Sequence, residues 1–292
     1  MRSAATASLL VLTALLAAGC LGSGGGGGDP VPSSGPPGTS SPSSPTLSPP
    51  PPQSLVVDLL PDFAFEPCLG VSVQATRPAD QVQALLPEGF TPAPAFGSDG
   101  FAVIGVDLYA CGNLTTPNAR IANVAFGQVY AQVLRPADRV PGAPEATVHE
   151  YAFRLLAGDD VLARLWPSAG YDTRNGTATV TVDPLGNGLP ADPGLRLGDG
   201  AVADYHLIGS GGPPGTPFPA STSFARYTAL SDGSVLVWTG TYSFPAGFSG
   251  QGSFSVPADD PFAGFQQANQ VPGVARMFET GGILDQDLRR FF

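Results

Sequence analysis

Short stretches in which apolar and polar residues alternate make up much of the chain after residue 100. Five of them are rich in Val, Ala, Thr, Tyr and Phe and predict β-strands at 101–110, 121–134, 146–156, 176–183 and 224–242. Ser231-Asp232-Gly233 divides the last stretch into a hairpin, because Asp-Gly tolerates the positive φ angles of a tight turn. Asn175-Gly176 predicts another turn. Gly158-Asp159-Asp160 is expected to turn the chain back into a strand at 161–166.

Helical patterns are scarce. One covers 78–86, where apolar residues recur three and four positions apart and Pro87 ends the helix. The other begins at Asp260, with Pro261 at its first position and Phe262 and Phe265 on one face. Two short helices beside some ten strands, by this count, predict a mainly β, antiparallel domain, either a barrel or a strongly curved sheet.

The N-terminal segment carries a different pattern, an apolar run at 9–18 that ends in small residues before Cys20. A membrane-spanning helix needs about 20 apolar residues, so this run has the length of a secretory signal. Its end resembles the export signal of a prokaryotic lipoprotein, in which Cys20 becomes the lipidated first residue. Ala17 stands where that signal usually has Leu, which leaves ordinary signal cleavage open.

These segments predict three regions. Residues 1–19 are a lipoprotein signal peptide, and residues 20–53 are the lipidated cysteine with a disordered tether rich in Gly, Pro and Ser, which cannot bury enough apolar surface to fold. Residues 54–292 form a single β-rich domain. We therefore expect an exported protein on the outer face of the cell membrane or envelope, with the membrane as its partner through the lipid on Cys20.

Composition narrows the chemistry. All 13 basic residues are arginine, and against 24 acidic residues they leave a net charge of −11, which argues against nucleic acid as a partner. Cys68 and Cys111 are the remaining cysteines, and in an oxidising compartment an isolated pair predicts a disulfide. No motif predicts a metal or a cofactor. The Asp- and Gly-rich stretch 183–204 is interpreted as turns rather than as a calcium site.

The best candidate site is the strand around His149. Alternation places His149 and Tyr151 on one face with Phe153 and Leu155, and Glu150 and Arg154 on the other face with Ala152. His149 is either a hydrogen-bonded core residue or a polar group in a cavity. Glu150 and Arg154 lie roughly 13 Å apart along a strand, too far to pair with each other, and we expect both to face solvent.

The motif Arg77–Pro92, RPADQVQALLPEGFTP, resembles the short helix and turn near the start of acetoacetate decarboxylase-like proteins, and the segments that follow resemble that family as far as about residue 185. The resemblance implies a curved β-barrel around an internal cavity. In the family a glycine–aromatic pair precedes proline and two lysines, one of which forms a Schiff base with a keto acid. Here Tyr171 precedes Asp172, Thr173 and Arg174. Arginine cannot form that imine, and no lysine exists anywhere, so Schiff-base decarboxylation is excluded.

Three hypotheses remain. The first is a non-catalytic, membrane-anchored lipoprotein that binds a small apolar or weakly acidic ligand in the barrel cavity, with Tyr151, Arg154, Tyr171 and Arg174 as candidate ligand contacts. The second is a lysine-independent enzyme acting on an acyl or keto-acid substrate, with His149 or Glu150 as base and Arg174 stabilising the anion. The third is a structural envelope module with a filled core.

Overall fold

The computed structural model describes residues 55–95, 98–158, 160–175, 178–181, 194–197, 221–243, 246–267, 271–280 and 282–292. The chain divides into two units, Met1–Pro51 and Pro52–Phe292, and every described residue belongs to the second. The predicted signal peptide, Cys20, the tether and nearly all of 183–204 lie outside the described residues. None of the helices in the described part of the chain has the length and apolar character needed to cross a bilayer.

Strands dominate the described residues, as the alternation predicts. They are β1 Val56–Pro78, β2 Pro94–Ala95, β3 Ser98–Thr116, β4 Ala119–Gln132, β5 Val148–Ala157, β6 Thr173–Asn175, β7 Ala178–Thr181, β8 Gly194–Leu197, β9 Ser221–Ala229, β10 Val235–Ser243, β11 Ala246–Phe254, β12 Val271–Thr280 and β13 Gly282–Phe291. Two helices, α1 Ala79–Gln83 and α2 Leu162–Ala169, and a 3-10 turn at Ala263–Phe265 accompany them.

Seven of these strands close into a barrel, which confirms one of the two predicted architectures. Around the ring the order is β1, β13, β10, β9, β5, β4, β3 and back to β1. Neighbours are antiparallel except β5 and β9, which run parallel. Strand β1 is long enough to serve two sheets, because its first part pairs with β13 and its second part pairs with β3 and β12. At its start, the amide of Phe292 donates to the carbonyl of Leu55 (3.1 Å).

The two faces of the barrel carry separate cores. On the inner face, aromatic rings meet across the lumen: the Phe126 ring on β4 lies 4.3 Å from Phe65 on β1 and 5.9 Å from Trp238 on β10. On the outer face, aliphatic residues of the strands pack under Val82 of α1 and Phe262. Strand alternation produces this division, since successive side chains point to opposite faces.

A disulfide joins Cys68 and Cys111, as the isolated pair predicts. The two cysteines are direct partners in the antiparallel register of β1 and β3, and their side chains belong to the inner core. The disulfide therefore fastens two strands of the barrel at one level of its wall.

Residues 161–166 form the start of α2, so the prediction of a strand there is wrong. Leu162 and Trp166 are four positions apart, so a helix places both on one face, where they are buried in the inner core. A strand would also place them on one face but farther apart, which is why the sequence fits both structures. Gly170, at φ 106°, ends the helix in the left-handed conformation that glycine adopts most readily. Asp159 of the predicted turn lies outside the described residues.

The two predicted helices are shorter than expected. The first ends at Gln83, and Leu86 continues it only as a turn, its amide donating to the carbonyl of Gln83. The second is a single 3-10 turn whose N-cap is Phe262, so Asp260 is not its cap, although Asp260 Oδ1 accepts from the amide of Phe262 (3.0 Å). The hairpin at Ser231-Asp232-Gly233 is confirmed, with Gly233 at φ 88°.

Candidate functional site

Polar side chains from five neighbouring strands collect inside the barrel. They are Ser72 of β1, Asp107 of β3, Gln128 of β4, Glu150 of β5 and Arg226 of β9, and none is more than 5% exposed. Strand register sets this arrangement, since Asp107 is opposite both Ser72 and Gln128, and Glu150 is opposite Arg226. We call Asp107, Gln128, Glu150 and Arg226 the interior cluster.

Arg226 is the cation of the interior cluster. Its Nε donates to Glu150 Oε2 (2.8 Å), and its Nη2 lies 4.0 Å from Asp107 Oδ2. The rings of Phe224 and Trp238 lie 4.3 and 4.9 Å from the guanidinium carbon, a cation–π arrangement that partly replaces water. Burial lowers the pKa of Arg226, but Glu150 and the other nearby acidic groups outweigh it and raise that pKa, so the guanidinium stays charged.

Gln128 links the two carboxylates. Its Nε2 donates to Asp107 Oδ2 (3.0 Å) and to Glu150 Oε2 (2.9 Å). Burial, followed by the negative charge of Glu150, raises the pKa of Asp107 to about 6, while Arg226 acts in the opposite direction. With both carboxylates ionised, the interior cluster carries two negative charges and one positive charge.

Five buried polar atoms have no hydrogen-bond partner in the described part of the chain. They are Asp107 Oδ1, Gln128 Oε1, the Tyr171 hydroxyl, and Nη1 and Nη2 of Arg226. Buried polar atoms are nearly always hydrogen-bonded, so such a group marks a place where a polar molecule can bind. Because the group contains donors and acceptors, that molecule must be able to accept as well as donate.

His149 and Tyr151, two of the predicted site residues, lie on the outer face. His149 is half-buried and its Nδ1 is 2.9 Å from the Tyr227 hydroxyl, which matches the core-residue alternative. Burial, together with Arg135, lowers the pKa of His149. Tyr151 packs against Phe90, with ring centroids 4.9 Å apart. Neither side chain belongs to the interior cluster.

Glu150 does enter the interior, so the expectation that it faces solvent is wrong. Arg226 supplies the charge that makes its burial tolerable. Tyr171 also belongs to the inner core, where it follows α2, and burial raises the pKa of its hydroxyl.

Arg154 does not share a face with Glu150, which corrects the simple alternation. In the pairing with β4, Ala152 is opposite Tyr130 and Arg154 is opposite Val129, so one extra residue bulges from β5 between them. Arg154 instead pairs with Asp172 (2.9 Å) and Asp260 (3.4 Å).

Arg174, another candidate, pairs with Asp259, and both side chains are partly exposed. A surface groove of about 410 Å³ holds Tyr151, Asp172, Asp232 and Arg290 among its lining residues. Its charged groups already have partners, since Asp172 pairs with Arg154 and Asp232 pairs with Arg290. The interior cluster is therefore the stronger candidate site.

Sequence reasoning missed Asp107, Gln128 and Arg226. Each is a polar residue at an inward position of a strand whose other inward neighbours are mostly aromatic or apolar. That contrast is the sequence signal by which they could have been found. Among the described residues, no group of three or more His, Cys, Asp or Glu is placed to hold a metal ion.

Comparison with known proteins yields similarity of structure alone. No family model matches the chain, and no curated protein does. The structure of MppR, an enduracididine biosynthesis enzyme, with HEPES buffer bound aligns with a TM-score of 0.50 at 15% identity, covering 78% of this chain and 88% of that enzyme. The chain has the acetoacetate decarboxylase-like fold.

Two further structures with this fold are similar. Acetoacetate decarboxylase from Legionella pneumophila aligns with a TM-score of 0.48 at 12% identity, over 83% of this chain and 92% of that one. An acetoacetate decarboxylase-like enzyme from Sphingomonas wittichii aligns with a TM-score of 0.40 at 17% identity, over 78% of this chain and 93% of that one.

Proposed function

We propose that this protein is an exported, lipid-anchored binding protein that holds a small, weakly acidic molecule inside its barrel. The export signal and Cys20 support the location. One observation supports the binding: Arg226 is buried, and neither of its terminal guanidinium nitrogens has a hydrogen-bond partner among the described residues, although Nη2 lies 4.0 Å from Asp107 Oδ2. Guanidinium groups bind paired oxygen atoms, so a carboxylate or a similar acceptor suits these nitrogens.

The unpartnered atoms favour binding over a purely structural core. A buried polar atom without a partner costs free energy, and a filled structural interior gains nothing from accepting that cost at five atoms together. A ligand that forms hydrogen bonds with these five atoms would remove that free-energy cost. Catalysis through a lysine imine is excluded by composition, since the chain has no lysine.

A lysine-independent acid–base enzyme is the second candidate, and the position of Asp107 favours it. A carboxyl group whose pKa is raised to about 6 can both donate and accept a proton near neutral pH. On this alternative Asp107, rather than His149 on the outer face, would be the base. Turnover of acyl or keto-acid substrates that disappears in Asp107→Asn would support it.

The binding proposal is tested with the purified full-length protein. We expect small carboxylic acids or hydroxy acids to raise the unfolding temperature and to be detected bound in native mass spectrometry. The test variant is Arg226→Met with Glu150→Gln, which removes the hydrogen-bonded pair together and leaves Asp107, whose pKa burial already raises, as the one carboxyl group of the interior cluster. The matched control is Arg289→Gln with Asp58→Asn, an exposed ion pair on the outer surface.

The interior double variant should bind at least tenfold more weakly, and the outer control should bind like the wild type. Two results would overturn the proposal. One is the absence of any ligand effect on the wild-type protein. The other is unchanged affinity in the interior variant when circular dichroism shows that it is folded.

A further inference from the structure

The fixed charges of the interior limit which ligand can bind there. Asp107 and Glu150 are the buried carboxylates of the interior cluster and Arg226 is its only cation, so its formal charge is −1. Tyr109 and Tyr130 face the same region, and burial followed by the charge of Asp107 raises the pKa of each well above its ordinary value. Both are therefore neutral, and they leave the charge balance unchanged.

A simple anion fits this balance poorly. Bound to Arg226, it would bring a second excess negative charge beside two carboxylates held by the Gln128 amide. Charges buried in a protein need nearby opposite charge, and a single guanidinium cannot compensate three anions. A ligand that carries its own positive charge avoids this cost.

Four of the five atoms without a hydrogen-bond partner fall into two sets that suit the two ends of such a ligand. Nη1 and Nη2 of Arg226 are donors that match the two oxygens of a carboxylate. Asp107 Oδ1 and Gln128 Oε1 are acceptors that match the N–H groups of an ammonium. The face of the guanidinium is covered by aromatic rings, so a ligand would have to bind at its edge.

We propose that the ligand is a small zwitterion of the amino-acid type, with its carboxylate on Arg226 and its ammonium on Asp107 and Gln128. This inference rests on the proposed function and names its ligand class. The rings of Tyr109, Phe126 and Trp238 crowd the same region, with Phe126 4.8 Å from Tyr109 and 5.9 Å from Trp238. The side chain of the ligand is therefore short, as in glycine or alanine.

Three probes that differ by the loss of one charged group separate the two charges: alanine, propionate, which lacks the ammonium, and ethylamine, which lacks the carboxylate. Isothermal titration calorimetry on the full-length protein at pH 7.5 should give alanine an affinity at least tenfold above either other probe. In Asp107→Asn the alanine affinity should fall at least tenfold, while propionate should bind no more weakly than it binds the wild type. At pH 6, where Asp107 takes up a proton while propionate is still ionised, propionate should gain on alanine.

The outcomes distinguish this inference from the proposal beneath it. Propionate equal to or tighter than alanine at pH 7.5 overturns the zwitterion and leaves an anion-binding protein. Ethylamine equal to alanine overturns it as well, because the carboxylate would then contribute nothing. If none of the three probes binds but other small acids do, only the inference fails. If no small acid binds, the proposed function fails with it.

Discussion

The hydroxyl of Tyr171 offers the cleanest test of the candidate site. This hydroxyl is buried in the inner core and lacks a hydrogen-bond partner among the described residues. Tyr171→Phe removes only that oxygen and keeps the ring in the inner core. In the ligand-free protein the substitution therefore removes an unsatisfied polar group and no internal hydrogen bond.

The expected effect is an increase in stability. Leaving a buried polar group unsatisfied costs about 1–3 kcal/mol, so Tyr171→Phe should raise the free energy of unfolding by about 1 kcal/mol. In a domain of this size, that change corresponds to a rise of about 2–4 °C in melting temperature. The same variant should bind the ligand more weakly, because the hydroxyl then no longer contacts it.

Urea and thermal unfolding of the ligand-free protein measure the effect, with Tyr109→Phe as the matched control. The Tyr109 hydroxyl lies 3.2 Å from that of Tyr242 and 3.4 Å from Asp107 Oδ2, so its removal should lower stability by about 1 kcal/mol. A loss of stability in Tyr171→Phe as large as that in the control would refute the reasoning. The hydroxyl would then have a partner in the folded protein, and the argument for a ligand there would lose one of its contacts.

Two other predictions concern the barrel wall and its charge. Because the pKa of Asp107 is raised from 3.8 to about 6, its stabilising contribution is complete below pH 3.8 and is lost as the pH rises through 6. Asp107→Asn should therefore gain roughly 2–3 kcal/mol relative to the wild type between pH 4 and pH 7.5 in urea unfolding, and a constant difference would contradict this. Replacing Cys68 and Cys111 by alanine, with 43 residues of separation, should cost about 4 kcal/mol by loop-closure entropy. A reductant breaks the same disulfide, so urea unfolding of the wild-type protein that is unchanged by a reductant would contradict that estimate.

Local pattern predicted the strands well where tertiary structure did not interfere. Strands β3 and β4 are rich in Val, Ala and aromatic residues with partial alternation, and the hairpin between β9 and β10 has a turn with its own signal. Strand β1 was missed because Pro61 and Pro67 interrupt its pattern, and its pairing with three partners makes up for them. The prediction of a strand at 161–166 was wrong because a short apolar run fits the period of a helix as well as that of a strand.

The site was harder to predict because its members meet only in the closed barrel. Glu150 and Arg226 are 76 positions apart, and only the parallel pairing of β5 with β9 brings them together. The bulge that separates Arg154 from the face of Glu150 depends on the register with β4, which no local rule supplies. The inward polar positions were visible in the sequence, but which of them face each other was not.

The contact between Leu55 and Phe292 has a practical consequence. Leu55 and Phe292 lie side by side on the barrel. A reporter fused after Phe292 would therefore begin next to Leu55. A short linker joining these two positions would permit circular permutation, with new ends at the exposed turn Ser231-Asp232-Gly233.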